Sequence, residues 1–369
     1  MLAFRILNPI FLLAMRIFSL CVFFVTILSA FGGKINPAIL TFPSLLCLAF
    51  PYLAILTIIL TVFWALYRKI FFCGLGVLTI VACLTPLSIA FPLGSERTAP
   101  PGATTFKIMS WNVLHTDDIR EPEYEGNRAV EFMLGSGADI ICLAELTNFS
   151  SHELKNLTPA LSDSLKALYP HRAGLNSTDI KIMSKFPVER LDYPFPAEYG
   201  NCRFDFFKIF FPENKFLVVG MVHLYSYDLS EEERTVVTEI NSVETAKTSM
   251  KEFRGPIRNK LSNAFRKRAE NATNLRTAID DIALQTPLIV CGDFNDVPAS
   301  WTYNIVKGDD MHDAYVETNF GPAITYNLHA FYFHIDQMLY RGPITPLKLT
   351  IDKINTSDHY PLIGEFAFL

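Results

Sequence analysis

The sequence predicts an α/β protein in which two packed β-sheets are covered by helices and preceded by three transmembrane helices. Three observations lead to this class. About ninety mostly apolar residues come first, short apolar runs typical of strands recur through the rest of the chain, and a long amphipathic helix pattern lies among them. Many strands with few helices between them indicate two sheets that pack together.

Three N-terminal runs carry almost no charge. Between residues 10 and 31 the only charge is Arg16, and the runs 40–66 and 70–91 have none. A helix needs about 20 such residues to cross a bilayer, so residues 1–91 are predicted to be a membrane anchor with three transmembrane helices. A cleavable signal peptide would also explain the first run, but two further spans favour the anchor.

The charges around the three runs predict a topology. Arg5 and Arg16 share one side of the membrane with Arg68 and Lys69, which follow two crossings. Positive residues favour the cytoplasmic face, so residues 106–369 are expected outside the cytoplasm. The prediction is a multi-pass protein of a bacterial inner membrane. The lipid bilayer is its one expected partner besides the substrate, and no protein partner is indicated.

Residues 92–105 are rich in Pro, Gly, Ser and Thr and are predicted to be a linker, and residues 106–369 one domain. Apolar residues at helical spacing from Leu261 to Ile282 predict a helix that packs on a sheet. The strand candidates are 106–111, 140–143, 180–183, 204–211, 217–224, 288–291, 333–340 and 361–368.

Polar residues stand at the ends of four predicted strands. Asn112, Glu145 and Asp293 follow apolar runs, and His223 comes late in another. One polar residue that ends a strand is commonplace, but four predict a shared site at the rim of the sheets. A carboxylate next to an imidazole in Asp358-His359 adds groups suited to metal-assisted attack on phosphorus.

Five motifs together resemble the endonuclease/exonuclease/phosphatase superfamily, and the resemblance covers 106–369. They occur in the order and rough spacing of that family, although each alone is weak. The resemblance implies a four-layer α/β/β/α sandwich of two mixed sheets and a divalent-metal-dependent phosphoric ester hydrolase. The motifs are Ser110-Trp111-Asn112-Val113, Cys142-Leu143-Ala144-Glu145, Cys291-Gly292-Asp293-Phe294-Asn295-Asp296, His334-Ile335-Asp336 and Ser357-Asp358-His359.

The resemblance also implies a metal site. Glu145 would be the principal carboxylate ligand, and Asn112 and Asp358 would complete the protein ligands. Hard oxygen donors without a nearby Cys or His pair favour Mg²⁺ or Mn²⁺ over zinc.

The same resemblance implies the catalytic roles. Asp293 would orient and deprotonate the attacking water, and Asn295 would hold that water or the phosphate. His359, oriented by Asp336, would bind a phosphoryl oxygen. His223 would contact the phosphate or assist the leaving group.

Nucleic acid or nucleotide phosphodiesters are the first expected substrates, and a phospholipid or sphingomyelin-type diester is the alternative. A protein that binds phosphate ligands without turnover is the alternative from another class. A basic stretch from Lys251 to Arg276 is a phosphate contact or the solvated face of a helix. His334 and Asp179 depart from the Arg and Gly that many family members have at those positions.

The polar segment 225–255 is longer than a simple connection. It is predicted to be partly helical and to act as a lid or a substrate-selecting insertion.

Overall fold

The computed structural model describes residues 2–116, 118–121, 123–146, 149, 154, 157–175, 178–192, 203–227, 243–328 and 331–369. The helices are α1 (Leu2–Phe31), α2 (Phe42–Leu66), α3 (Ile70–Ala82), α4 (Leu84–Ala90), α5 (Arg128–Gly135), α6 (Pro159–Leu168), α7 (Val243–Asp280), α8 (Trp301–Lys307) and α9 (Ala314–Thr318). The strands are β1 (Thr105–Asn112), β2 (Ile140–Ala144), β3 (His171–Ala173), β4 (Lys181–Ser184), β5 (Val188–Leu191), β6 (Arg203–Phe210), β7 (Phe216–His223), β8 (Leu288–Asp293), β9 (His312–Asp313), β10 (Tyr326–Leu328), β11 (Phe331–Phe333), β12 (Asp336–Arg341), β13 (Ile344–Ile351) and β14 (Leu362–Phe368).

The described strands form two six-stranded mixed sheets and a small pair. Sheet I has the order β13-β14-β1-β2-β4-β3, and sheet II has the order β5-β6-β7-β8-β12-β9. One parallel pair lies inside each sheet, β1 with β2 and β7 with β8, and the neighbouring pairs are antiparallel. The small pair is β10 with β11.

Alternating side chains on the strands build the layers, because successive residues of a strand point to opposite faces. Ile108 of β1 belongs to the core between the sheets with Ile289 of β8. Met109, the next residue, packs on the outer side with Met133 of α5. α7 covers the outer face of sheet II through residues such as Leu275. The two mixed sheets flanked by helices make the predicted α/β sandwich.

Most strand predictions agree with the structure, but the predicted strand 333–340 is wrong. Two strands, β11 and β12, replace it, with a break at His334 and Ile335. The hydroxyl of Thr325 accepts hydrogen bonds from the backbone N–H groups of both Ile335 and Asp336 at 3.0 Å. This side chain satisfies donors that a continuous strand would have paired with a neighbouring strand.

The helix predicted to begin at Leu261 begins much earlier, at Val243. The predicted insertion 225–255 is therefore partly helical, as expected, and its residues 228–242 lie outside the described residues. The C-terminal part of the predicted insertion is thus the first part of α7, the helix that covers sheet II.

Two single helices fit the prediction of three transmembrane helices, and the third apolar run counts as a span only if a bent pair of helices is taken as one. The described residues contain two helices long and apolar enough to cross a membrane, Pro9–Lys34 and Phe42–Leu66. The third run is a pair of shorter helices, α3 and α4, bent by 66°. Pro86 causes this break, because its ring removes the N–H that would bond to Ala82 and clashes with that carbonyl.

The N-terminal helices contact the domain that follows them. Asn304 Nδ2 of α8 donates to Gly33 O at 3.2 Å, and the hydroxyls of Thr41 and Ser262 lie 3.2 Å apart. A Cβ atom on Gly33 would lie 1.9 Å from Ala299 O. The connection between α1 and α2 is therefore packed tightly against residues next to α8.

The predicted linker 92–105 also follows the domain surface. Leu93 forms a β-bridge with Phe320, and the Arg97 N–H donates to Leu347 O at 2.7 Å. The Arg97 guanidinium pairs with Glu317 at 2.9 Å. These bonds hold the linker along α9 and β13.

Candidate active site

The ends of four central strands bring the predicted residues together at one edge of the sandwich. β1 ends at Asn112, Glu145 follows β2, and β7 and β8 end at His223 and Asp293, which are register partners. Asn112 Nδ2 donates to Glu145 Oε1 at 3.0 Å and to Asp293 Oδ2 at 3.2 Å. This amide joins sheet I to sheet II across the site.

The chain turns sharply where these strands end. Glu145 and Asn295 have φ values of 57° and 51°, in the left-handed region that few non-glycine residues adopt. Gly292 has φ 138°, and a Cβ there would lie 2.0 Å from Val222 O. Only glycine therefore lets β8 approach β7 closely enough to align Asp293 beside His223.

Asn295 fixes the carboxylate of Asp293. Its backbone N–H donates to Asp293 Oδ1 at 2.7 Å and its side-chain Nδ2 to Oδ2 at 3.1 Å. The same Nδ2 donates to Leu224 O at 3.0 Å, which ties the loop to the end of β7. Burial raises the pKa of Asp293, although the neighbouring imidazoles act in the opposite direction.

His359 is paired with Asp336 and faces Asp293. Its Nδ1 lies 2.8 Å from Asp336 Oδ2, and its Nε2 lies 3.6 Å from Asp293 Oδ2. Trp111 Nε1 donates to the His359 backbone carbonyl at 3.0 Å and holds the residue at the end of β1. Burial lowers the pKa of His359, but the charges of Asp336 and Asp293 outweigh it, and the pKa lies well above its usual value.

His223 is the second paired imidazole. Its Nδ1 lies 2.7 Å from Asp179 Oδ2, while its Nε2 lies 3.6 Å from Glu145 Oε1 and 3.9 Å from Asp293 Oδ2. Burial lowers the pKa of His223, but the hydrogen bond to Asp179 and the nearby carboxylates raise it above its usual value.

Asp179 is the site residue that the sequence analysis missed. The sequence marks it only as a departure from the Gly that many family members have there, yet its carboxylate orients His223. Asp179 precedes β4, and because β4 runs antiparallel to β2, the start of β4 lies at the edge where β2 ends. An acidic residue just before a strand antiparallel to a site strand was the available signal.

Asp358 is held beside the end of β1. The hydroxyl of Ser357 lies 2.8 Å from Asn112 O and 3.3 Å from Asp358 Oδ1. Tyr326 packs edge-on against His359, with 5.0 Å between ring centroids. The structure thus brings the predicted residues of both sheets to the same edge.

The donor set suits a divalent cation. Five carboxylates lie around two imidazoles, and four of these carboxylates form ion pairs with the imidazoles. The carboxylates outnumber the imidazoles, and an excess of negative charge of this kind favours a bound cation. The carboxylates are those of Glu145, Asp179, Asp293, Asp336 and Asp358.

Two groups of donors could hold such an ion. Asp293, Asp336 and His359 have ligand atoms within 4.8 Å of one another, but His359 Nδ1 is already bonded to Asp336. Glu145 and Asn112, in direct contact, offer oxygen donors without disturbing that pair. A 180° turn of the Asn112 amide would present its oxygen to an ion, in place of its hydrogen bonds to Glu145 and Asp293 and the one it accepts from the Leu114 N–H.

The two-sheet sandwich, with carboxylates, an amide and paired imidazoles at one edge, has the phosphoesterase fold of a known family. The chain belongs to the Endonuclease/Exonuclease/phosphatase family, whose sequence model matches residues 109–359. A second model, described as a domain of unknown function (DUF8431), matches residues 9–89. No curated protein matches the sequence.

Three similar solved structures share 14% to 17% sequence identity with this chain. An endonuclease/exonuclease/phosphatase from Beutenbergia cavernae is 17% identical with a TM-score of 0.47, over 72% of this chain and 72% of that one. TDP2 of D. rerio, complexed with a single-strand DNA product, is 16% identical with a TM-score of 0.45, over 71% and 99%. Sphingomyelinase C from Streptomyces griseocarneus is 14% identical with a TM-score of 0.43, over 71% and 99%.

Proposed function

We propose that this protein is a membrane-anchored phosphodiesterase that hydrolyses its substrate with a divalent metal ion, Mg²⁺ or Mn²⁺. One observation carries the proposal. Two imidazole–carboxylate pairs, His359 with Asp336 and His223 with Asp179, face the same buried carboxylate of Asp293. Such an arrangement supplies a base and two oriented proton donors around one point.

Glu145, Asn112 and Asp358 would hold the metal ion in this proposal. A bound divalent cation supplies charge that stabilises the phosphoryl oxygens and lowers the pKa of a coordinated water. The oxygen-only donor set supports Mg²⁺ or Mn²⁺ rather than zinc.

Asp293 would take the proton of the attacking water. Its raised pKa makes it a better base than an exposed Asp, and Asn295 holds its two oxygens in place. The water oxygen forms a bond to phosphorus as the ester P–O bond breaks. The leaving oxygen takes a proton from His223, so the products are an alcohol and a phosphate monoester.

His359 would bind a phosphoryl oxygen as the imidazolium. Asp336 accepts a hydrogen bond from its Nδ1, which leaves Nε2 directed at the space beside Asp293. A preorganised positive donor of this kind stabilises charge that grows in the transition state.

The basic stretch gives limited support to a nucleic acid substrate. Arg268 is fully buried and lies 3.5 Å from Asp296, and Arg276 forms ion pairs with Asp280 and Asp310. Arg258 and Arg266 remain on the exposed side of α7. The exposed arginines therefore fit the solvated face of a helix better than a continuous phosphate-binding track. The contacts of the domain with the N-terminal helices keep it next to the proposed membrane anchor, and this favours the phospholipid or sphingomyelin-type alternative.

An extracytoplasmic position of the catalytic domain agrees with the arrangement of the anchor. Gly33 and Thr41, between α1 and α2, contact the domain, whereas Arg68 and Lys69 lie at the opposite end of α2. Basic residues thus accumulate on the side away from the domain.

The experiment is hydrolysis by the purified full-length chain in detergent. Bis(p-nitrophenyl) phosphate, DNA, RNA and sphingomyelin are assayed with Mg²⁺, with Mn²⁺ and with chelator. Turnover of a diester that chelator abolishes and metal restores is expected. Metal binding by calorimetry without turnover of any diester would instead support the binding protein without catalysis.

A further inference from the structure

An apolar cavity of about 230 Å³ lies where the N-terminal helices meet the catalytic domain. α2 contributes Tyr52 and Ile55 to its wall, and Phe91 follows α4. The catalytic domain closes the other side with residues such as Val297 and Ile324. None of the described residues that line this junction cavity is an Asp, Glu, Lys or Arg.

The outer wall of the junction cavity belongs to the surface that lipid would cover. Tyr52 and Ile55 are 60% and 46% exposed and lie on a helix long and apolar enough to cross a membrane. Exposed apolar side chains on such a helix face hydrocarbon. The cavity is therefore accessible to the chains of membrane lipids.

The inner wall of the junction cavity reaches the active site. Cys47 of α2 packs in one apolar cluster with Val297 and Ile335, and Tyr326 packs against this cluster. Ile335 precedes Asp336, and Tyr326 lies against the ring of His359. The cavity wall is thus linked to the paired imidazole of His359 through this apolar cluster and Tyr326.

One polar atom interrupts the apolar lining. His334 lines the cavity, and its Nε2 is buried without a hydrogen-bond partner among the described residues. A buried polar atom without a partner costs free energy that a ligand can recover. An ester or hydroxyl group fits one such atom, whereas a nucleobase needs several polar partners around its edges.

We propose that the junction cavity binds an acyl chain of the substrate, so that the enzyme hydrolyses a phosphodiester carried by a membrane lipid. His334 then bonds the polar group between the chain and the phosphate, and the phosphate lies at Asp293 and His359. This inference rests on the proposed function, because it names the substrate class of the same active site. It assigns the membrane anchor a part in substrate binding besides tethering.

The first test varies chain length with the wild-type full-length protein. Glycerophosphocholine and phosphatidylcholines with four to eight carbons per chain are assayed below their micelle concentrations, with Mg²⁺. We expect kcat/KM to rise about threefold to fourfold for each methylene buried, until the cavity is full. A flat series alongside good hydrolysis of bis(p-nitrophenyl) phosphate would overturn the inference and leave the proposed function intact.

The second test blocks the cavity. Ile55→Trp fills the space from its membrane side, and Ile58→Trp is the matched control, because Ile58 is also 46% exposed but does not line the cavity. Ile55→Trp should lower kcat/KM for dioctanoylphosphatidylcholine by about tenfold or more and leave that for bis(p-nitrophenyl) phosphate unchanged. Ile58→Trp should leave both values unchanged.

Three outcomes distinguish the claims. Equal lipid hydrolysis by wild type and Ile55→Trp contradicts the acyl-chain site. Faster hydrolysis of DNA than of any lipid, unaffected by Ile55→Trp, contradicts it as well and restores the nucleic acid substrate. If the wild-type protein turns over no diester, including bis(p-nitrophenyl) phosphate, the proposed function itself is contradicted.

Discussion

Asp293 is the residue on which both halves of the candidate site converge. His359 lies 3.6 Å and His223 3.9 Å from its Oδ2, and each imidazole is oriented by its own carboxylate. Asn112 adds a hydrogen bond from sheet I. Each group proposed to be catalytic therefore depends on a neighbour that fixes its direction.

Asp336→Asn tests this dependence for His359. The amide cannot favour the imidazolium as the carboxylate does, so we expect kcat for bis(p-nitrophenyl) phosphate to fall roughly 10²- to 10⁴-fold, with folding preserved. Steady-state kinetics and circular dichroism would be measured together. Asp352→Asn, at an exposed position after β13, is the control and should match wild type. Equal rates in the two variants would remove Asp336 from the mechanism.

At the scale of elements, an ion-pair network joins α7 to β12. Asp310 accepts hydrogen bonds from Arg276 of α7 and Arg341 of β12. Arg341 Nη2 also donates to the Ile279 carbonyl at 2.8 Å. Burial raises the pKa of Asp310, but the two guanidinium groups outweigh it, and the net pKa is lowered.

Asp310→Asn should therefore destabilise the fold in a pH-dependent way. A lowered pKa stabilises the folded protein above the pKa of the unfolded chain, about 3.9, and this contribution is lost as pH falls through the folded value. We expect a loss of about 2 kcal/mol at pH 7, seen as a lower Tm. The difference from wild type should shrink towards pH 3.

The control for that prediction is Asp163→Asn. Asp163 pairs with Lys166 at 3.8 Å, and its side chain is 80% exposed, so its removal should leave Tm unchanged. A deficit of Asp310→Asn that stays constant across the pH range would show that charge is not the source of its stability.

The contact between the α1–α2 connection and α8 can be tested with two glycines. Gly33→Ala would place Cβ 1.9 Å from Ala299 O, a backbone atom that cannot move aside cheaply, whereas a Cβ at Gly74 has nothing within 4 Å. We expect Gly33→Ala to lower Tm and to increase hydrogen exchange in residues 296–302. Gly74→Ala should do neither, since Ala favours the helix. Unchanged exchange in Gly33→Ala would argue against this contact.

The elements also show what the sequence could predict. The ends of β1, β2, β7 and β8 were predictable because an apolar run followed by a polar residue is a local pattern. The break before β12 depends on Thr325, ten residues away. The pairing of Asp179 with His223 joins residues 44 apart in the chain, and only the fold brings them together.

At the scale of the whole molecule, the N-terminal helices and the sandwich pack against each other. Periodicity and composition predicted two packed sheets covered by helices and the apolar N-terminal segment, whereas the four-layer order was implied by the resemblance to the family. Neither predicted that the N-terminal segment packs beside Val297 and Ile335, because such contacts depend on side-chain shape across the domain. The junction cavity arises from this packing.

The central claim is a metal-dependent diesterase centred on Glu145. The most direct measurement is Mg²⁺ binding and turnover of bis(p-nitrophenyl) phosphate by the full-length wild type and by Glu145→Gln, which keeps the shape of the side chain and removes its charge. We predict weaker Mg²⁺ binding and a loss of turnover of roughly 10²- to 10³-fold or more. Wild-type turnover by Glu145→Gln, or turnover by either protein in chelator, would contradict the account.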